Sequence, residues 1–218
     1  MAAADITRLI NNARDRLPGA IEQAMQRELF NVMDEFFRGS NVWNEDIEME
    51  IPGQDPTNTV YPLIPSTPAL VDKLLWVYQL NPNDLMARGS PMGASMSVPG
   101  EMVLALQPSS NVPIRVTVAL TVDDPVLRNG YVTFPAWVLA KYRDCILDGL
   151  LGKMMSQPGK PYTNTQLSVF HMRKFKQGYV AARVEWTRNN TYRQQAWVFP
   201  QGFSRGSQKG RSRWGGPA

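Results

Sequence analysis

Residues 20–51 read AIEQAMQRELFNVMDEFFRGSNVWNEDIEMEI, and the hydrophobic period changes partway along them. Ala24, Met25, Leu29, Val32, Met33, Phe36 and Phe37 recur at helical spacing, which predicts a helix over 20–38 with those residues on its buried face. Arg38-Gly39-Ser40 supplies a stop. Ile47, Met49 and Ile51 then alternate with Asp46, Glu48 and Glu50, so the period drops to two and a strand begins, apolar on one face and acidic on the other. A helix handing over directly to a strand makes the chain α+β.

Upstream, Asp5 is placed to cap an apolar stripe of Ile6, Leu9, Ile10, Ala13 and Leu17, giving a first helix over about 5–17 that Leu17-Pro18-Gly19 breaks. Downstream, β-like runs fall at Thr59–Ile64, Leu70–Leu80, Met102–Gln107 and Val112–Thr121, separated by Pro and Gly clusters. These predict a small antiparallel sheet or sandwich over about 45–121, inserted between helices, with Arg88–Pro99 as a long mobile loop. Helical period returns over about 135–155, where Trp137, Val138, Ala140, Cys145, Ile146, Leu150, Leu151 and Met154 make an apolar surface. After the break at 157–161 a last helix is expected over about 165–188, with Leu167, Phe170, Phe175, Gly178, Tyr179 and Ala182 on its packing face. Gly178 costs about 1 kcal/mol against Ala inside a helix, which marks it as a point of close approach. The predicted whole is a bundle of about four helices with an inserted β part, a single domain over 1–200, and a flexible basic arm over 201–218.

Composition narrows the function. The 218 residues are 43% hydrophobic and 19% charged, a globular balance, and no apolar run reaches the roughly 20 residues that cross a bilayer. The N-terminal stretch lacks the apolar run of a signal peptide, so a soluble protein made in the cytoplasm is expected. One cysteine rules out an internal disulfide framework. Charge is polarised. Residues 1–148 carry 11 Lys+Arg against 18 Asp+Glu, a net of −7, whereas residues 149–218 carry 12 against one, a net of +11. A subunit whose acidic part meets the basic part of a neighbour would have this distribution, as would one that merely solvates its charges.

Catalytic material is thin. His171 is the only histidine and Cys145 the only thiol, 26 residues apart, so neither a metal site nor a cofactor site is expected. No Gly-x-Ser-x-Gly elbow accompanies His171, and Gly149 to Lys153 lacks the glycine spacing of a phosphate loop. Glu45, Asp46, Glu48 and Glu50 are crowded on one strand and read as a solvated acidic patch, not as two carboxyls held across a cleft. No enzyme is expected. In the tail, Phe203, Arg205, Lys209, Arg211, Arg213 and Trp214 are spaced by glycines, a composition suited either to tracking phosphates and stacking on bases or to folding into a groove on a partner protein.

Four segments in order carry a resemblance. Leu17 to Ala20 is a Leu-Pro-Gly-Ala turn, and Phe36 to Trp43 closes the second helix. Phe134-Pro135 opens a helix with Ile146, Gly149, Leu150 and Met154. Pro158 to Asn164 then leads to a helix with Phe175-Lys-Gln-Gly178-Tyr-Val-Ala-Ala-Arg183. The chain resembles the head–tail connector (adaptor, or neck) proteins of tailed bacteriophages over most of residues 5–188, departing from them in the Pro/Gly-rich middle and the extended tail. The resemblance implies a structural virion protein in the neck between capsid and tail. Such a subunit forms a homo-oligomeric ring, usually dodecameric, that docks beneath the portal protein and meets tail or stopper proteins while double-stranded DNA passes through without sequence readout. On that reading the residues from Phe203 to Trp214 form a portal-binding arm, and Glu45, Asp46, Glu48 and Glu50 line the lumen. Two other readings remain open: a nucleic-acid-binding module acting through the basic C-terminal half, and another tail component such as a terminator or tube subunit.

Overall fold

A computed structural model describes residues 6–53, 60–80, 89–122 and 134–190, with the side chains of 189 and 190 excepted. The expected portal-binding arm, Phe203 to Trp214, lies outside the described residues, as do Asp5 and Arg88. The chain divides into two units, 1–186 and 187–218, and of the second only the last turn of the final helix is described.

Helix α2 (Glu22–Ser40) is the centre of the helical layer. Met25, Leu29, Val32, Met33, Phe36 and Phe37 are all fully buried, as their spacing requires. It stops later than Arg38-Gly39-Ser40 suggested: Asn41 takes the left-handed conformation with φ of 54°, and its N–H bonds to the Phe37 carbonyl at 2.9 Å. Gly39 instead leaves room for the Tyr179 ring, 2.8 Å from where a Cβ would stand. Helix α1 (Thr7–Arg14) buries Leu9, Ile10 and Ala13, and is preceded by Ile6 without a side-chain cap. Helix α3 (Ala136–Met155) buries Val138, Ile146, Leu150, Leu151 and Met154, but Trp137 and Ala140, expected on the same surface, are exposed. At 100° per residue Trp137 already stands half a turn from Ile146, and the helix also breaks at Tyr142 (φ −116°, ψ 16°).

Helix α4 (Thr165–Asn190) starts where Asn164 accepts a bond from the Leu167 N–H at 3.1 Å, an N-cap. Its buried stripe is Ser168, His171, Phe175 and Ala182, with Gly178 and Tyr179 half-buried. Leu167 and Phe170, expected on that stripe, face outward. Phe175, Gly178, Tyr179 and Ala182 lie on the expected side; toward the N-terminus the face is carried by Ser168 and His171, polar residues that hydrophobicity does not mark.

The β part is two three-stranded antiparallel sheets. One has the order β1 (Asn44–Ile51), β6 (Val112–Thr121), β3 (Leu70–Gln79); the other has β2 (Val60–Pro62), β5 (Glu101–Leu104), β4 (Ala94–Val98). Strand β4 replaces the loop expected over Arg88–Pro99. Ala94 and Met96 alternate inward against the core, a period of two disguised by glycines and serines. Pro99-Gly100 then turns the chain tightly into β5, pairing Val98 with Glu101, and Gly100 has φ of 84°, which suits the third residue of a type II turn. Residues 90–92 join the sheets through bonds from the Gln79 N–H to the Ser90 carbonyl and from the Met92 N–H to the Val77 carbonyl, at 2.9 and 3.0 Å. Ile51, Tyr61, Val77, Met102, Leu104, Ile114 and Val116 are buried and belong to the same apolar core as the helices. The fold is α+β, as the change of period in 20–51 predicts.

The helix and sheet layers are tied by polar bonds at their seam. The Thr121 hydroxyl donates to Asp34 of α2 at 2.8 Å, Arg38 pairs with Asp34 and Asp72, and Lys73 donates to the Arg38 carbonyl at 2.6 Å. The hydrogen bond to Asp34 raises the pKa of Arg38 further. Trp76 of β3 stacks on Trp186 of α4, ring centres 5.3 Å apart.

Candidate interaction surfaces

The acidic strand is not one surface. Asp46, Glu48 and Glu50 stand on the exposed face of β1, as alternation requires, but Glu45 points to the other side. There its carboxylate accepts the Ser66 N–H at 2.7 Å and the Thr67 hydroxyl at 3.4 Å. The remaining row is partly neutralised: Arg115, opposite Glu48 on β6, donates to it at 2.7 and 3.0 Å, and Asp46 accepts the Thr117 hydroxyl at 2.6 Å. Glu50 stands opposite Pro113, which has no charge to offer. Strand β1 is also the edge of its sheet.

The basic counterpart is α4. Arg173, Lys174, Lys176, Arg183 and Arg188 all lie on it and are exposed, against one acid, Glu185. Glu185 is bonded to Lys141 at 2.5 Å and accepts the Tyr142 hydroxyl at 3.3 Å. That pairing lowers the Glu185 pKa and raises that of Lys141, while burial raises that of Tyr142. Among the basic residues α4 also exposes Leu167, Val169, Phe170, Val180 and Val184. Five exposed large apolar side chains on one helix are more than solvent contact explains.

The inner face of α4 is built differently. A Cβ at Gly178 would overlap the Cys145 sulfur, and one at Gly149 would stand 2.6 Å from Val32 and 2.8 Å from the Phe175 ring. At Gly152 it would meet Met172 at 2.7 Å. Cys145 is packed beneath α4 with its sulfur 3.5 Å from the Phe175 carbonyl, and burial, with Asp148 nearby, pushes its thiol up to about 12. That is the opposite of what activates a cysteine nucleophile.

Ser168, His171 and Asp148 bring three triad residue types to this junction. His171 Nδ1 lies 2.7 Å from Asp148 Oδ1, but the Ser168 hydroxyl donates to the Gly152 carbonyl at 2.8 Å. A serine nucleophile needs its bond to the imidazole; here both polar groups lock α4 onto α3. Asp148 and Ser168 were not singled out from the sequence, and their spacing within the two helices is the only signal that marks them. Among the described residues no three His, Cys, Asp or Glu side chains come together as metal ligands, and no helix is long and apolar enough to cross a membrane.

Compared with known proteins, the chain matches no protein-family model and no curated protein.

Proposed function

We propose that this chain is an adaptor subunit of a tailed-bacteriophage neck, a structural protein that assembles with copies of itself into a ring, docks beneath the portal, and meets tail or stopper proteins around the passing DNA. The observation that carries the reading is where the family-like segments fall. Leu17 to Ala20 is the turn between α1 and α2, held by the bond from the Ala20 N–H to the Leu17 carbonyl at 3.0 Å. Phe36 to Trp43 is the passage from helix to sheet, with the Phe37 and Trp43 rings 5.0 Å apart. Pro158 to Asn164 links α3 to α4, and 175–183 contains the glycine pressed on Cys145. Segments that fix how elements meet are those a shared architecture needs. The outward face of α4, apolar and basic, supports a subunit that works by association rather than by chemistry.

Mass photometry and negative-stain imaging of the purified protein, alone and mixed with portal, test this. Rings, alone or on the portal, are the expected result; monomers that ignore the portal would sink it. A second reading, nucleic-acid binding, is favoured by the five basic residues of α4. It predicts DNA affinity that falls steeply as salt rises, which a titration at two salt concentrations measures.

A further inference from the structure

The structure points to a specific contact between neighbouring copies, and we propose that the outward face of α4 docks on the acidic β1 edge of a second copy of this chain. The inference rests on the ring reading above and names its surfaces. At 100° per residue, Val169, Arg173, Lys176, Val180 and Val184 fall within an arc of about 80° on α4. All five are exposed, so three apolar side chains are interleaved with two cations on one stripe. This stripe points away from the face on which Phe175 and Ala182 are buried, and among the described residues nothing covers it. Valines that remain in water in a monomer gain from a partner, at about 25 cal/mol for each Å² covered.

Charge selects the partner. The stripe is cationic, and the exposed row of β1, Asp46, Glu48 and Glu50, retains net negative charge even with Arg115 paired to Glu48. The stripe from Val169 to Val184 runs about 22 Å along the helix, longer than the about 13 Å from Asp46 to Glu50 along the strand, so its part from Arg173 to Val184, about 16 Å, is what lies over the acidic row. The two surfaces are different patches of one chain, so their contact is head-to-tail, the kind that closes into a ring when the rotation permits. DNA as the occupant of α4 would satisfy the cations but leave the three valines against phosphate, which does not cover apolar surface. The acidic row then belongs to the seam between subunits and not to the lumen. Apolar cover supplies the drive, while rim charges set register and partner choice.

Assembly of the full-length protein, read by mass photometry alone and on portal, tests the contact. Val180→Asp with Val184→Asp, both exposed, should leave the far-UV circular dichroism and melting temperature unchanged and weaken assembly roughly tenfold or more. Arg173→Glu with Lys176→Glu should weaken it too, as should Glu48→Gln with Glu50→Lys. Mixing those two charge variants should restore mixed oligomers, because a matched pair of surfaces is available again. If the wild type forms rings and the valine variant forms them equally well, the docking face is wrong and the ring reading survives. If each charge variant is weakened but the mixture recovers nothing, β1 is not the receiving surface. If the wild type forms no oligomer alone or on portal, both readings fall. If the Arg173/Lys176 variant loses DNA binding with assembly intact, the stripe serves DNA and the proposal is overturned.

Discussion

The inner and outer sides of α4 are made from the same helix and obey opposite rules. Inside, Gly178 and its neighbours bring backbones so near that a single methyl has no place, and Ser168 and His171 spend their polar atoms on α3. Outside, bulky valines and a phenylalanine alternate with lysines and arginines and touch solvent. Burial on this helix therefore follows shape as well as hydrophobicity: Gly178 and Ala182 are inside where they allow close approach, Phe175 fills the space beside them, and the valines stay outside.

Three tests probe that contrast, from the largest effect to the smallest. Phe175→Ala removes a fully buried ring packed on Gly149 and Tyr179, and should cost about 3–5 kcal/mol in a denaturant melt. The same change at Phe170, a half-exposed ring on the other side, should stay within about 1 kcal/mol. If the two losses are alike, the inner and outer faces have been confused.

Gly178→Ala comes next. In an open helix it would stabilise by about 1 kcal/mol, but overlap with the Cys145 sulfur should reverse the sign and cost about 1–3 kcal/mol. Combining it with Cys145→Ala should recover part of that loss, since the obstructing sulfur is gone; additivity of the two changes would break the argument.

The smallest effect concerns protonation at the same spot. Burial raises the Cys145 thiol from its ordinary 9.0 to about 12. The folded state then holds its proton while the unfolded state releases it, so the contribution of this site to stability is intact below pH 9.0 and shrinks as pH rises from there toward 12. Melting midpoints taken at pH 8 and pH 10 should differ more in the wild type than in Cys145→Ala. The thiol should also resist alkylation at pH 8 until the protein is unfolded.

Much of this architecture is legible in the sequence. The α2 face, the alternation in β1, the ten-residue run of β6 and the breaks at Gly19 and Gly159 all announce themselves, because period and turn chemistry are local properties. Strand β4 was missed because its alternation is carried by Ala94 and Met96 among glycines and serines, where no propensity flags a strand. The acidic row was read correctly for Asp46, Glu48 and Glu50, and wrongly for Glu45, which caps the chain at Ser66 and Thr67. Alternation assigns a residue to a face, but only the path of a later loop decides what waits there.

Sequence by itself determined the α+β class, every described helix and strand but β4, and the two helices that sandwich the link at 158–164, since each depends on spacing within a few turns of chain. Gly178 also declared itself, being too costly in a helix without a reason. Tertiary structure alone decided that Leu167 and Phe170 of α4 face outward, that the Ser168 hydroxyl turns to Gly152 while His171 meets Asp148, and that Trp137 is left outside. Those outcomes depend on contacts between residues distant along the chain, where the fit of one surface to another outweighs the hydrophobicity of either.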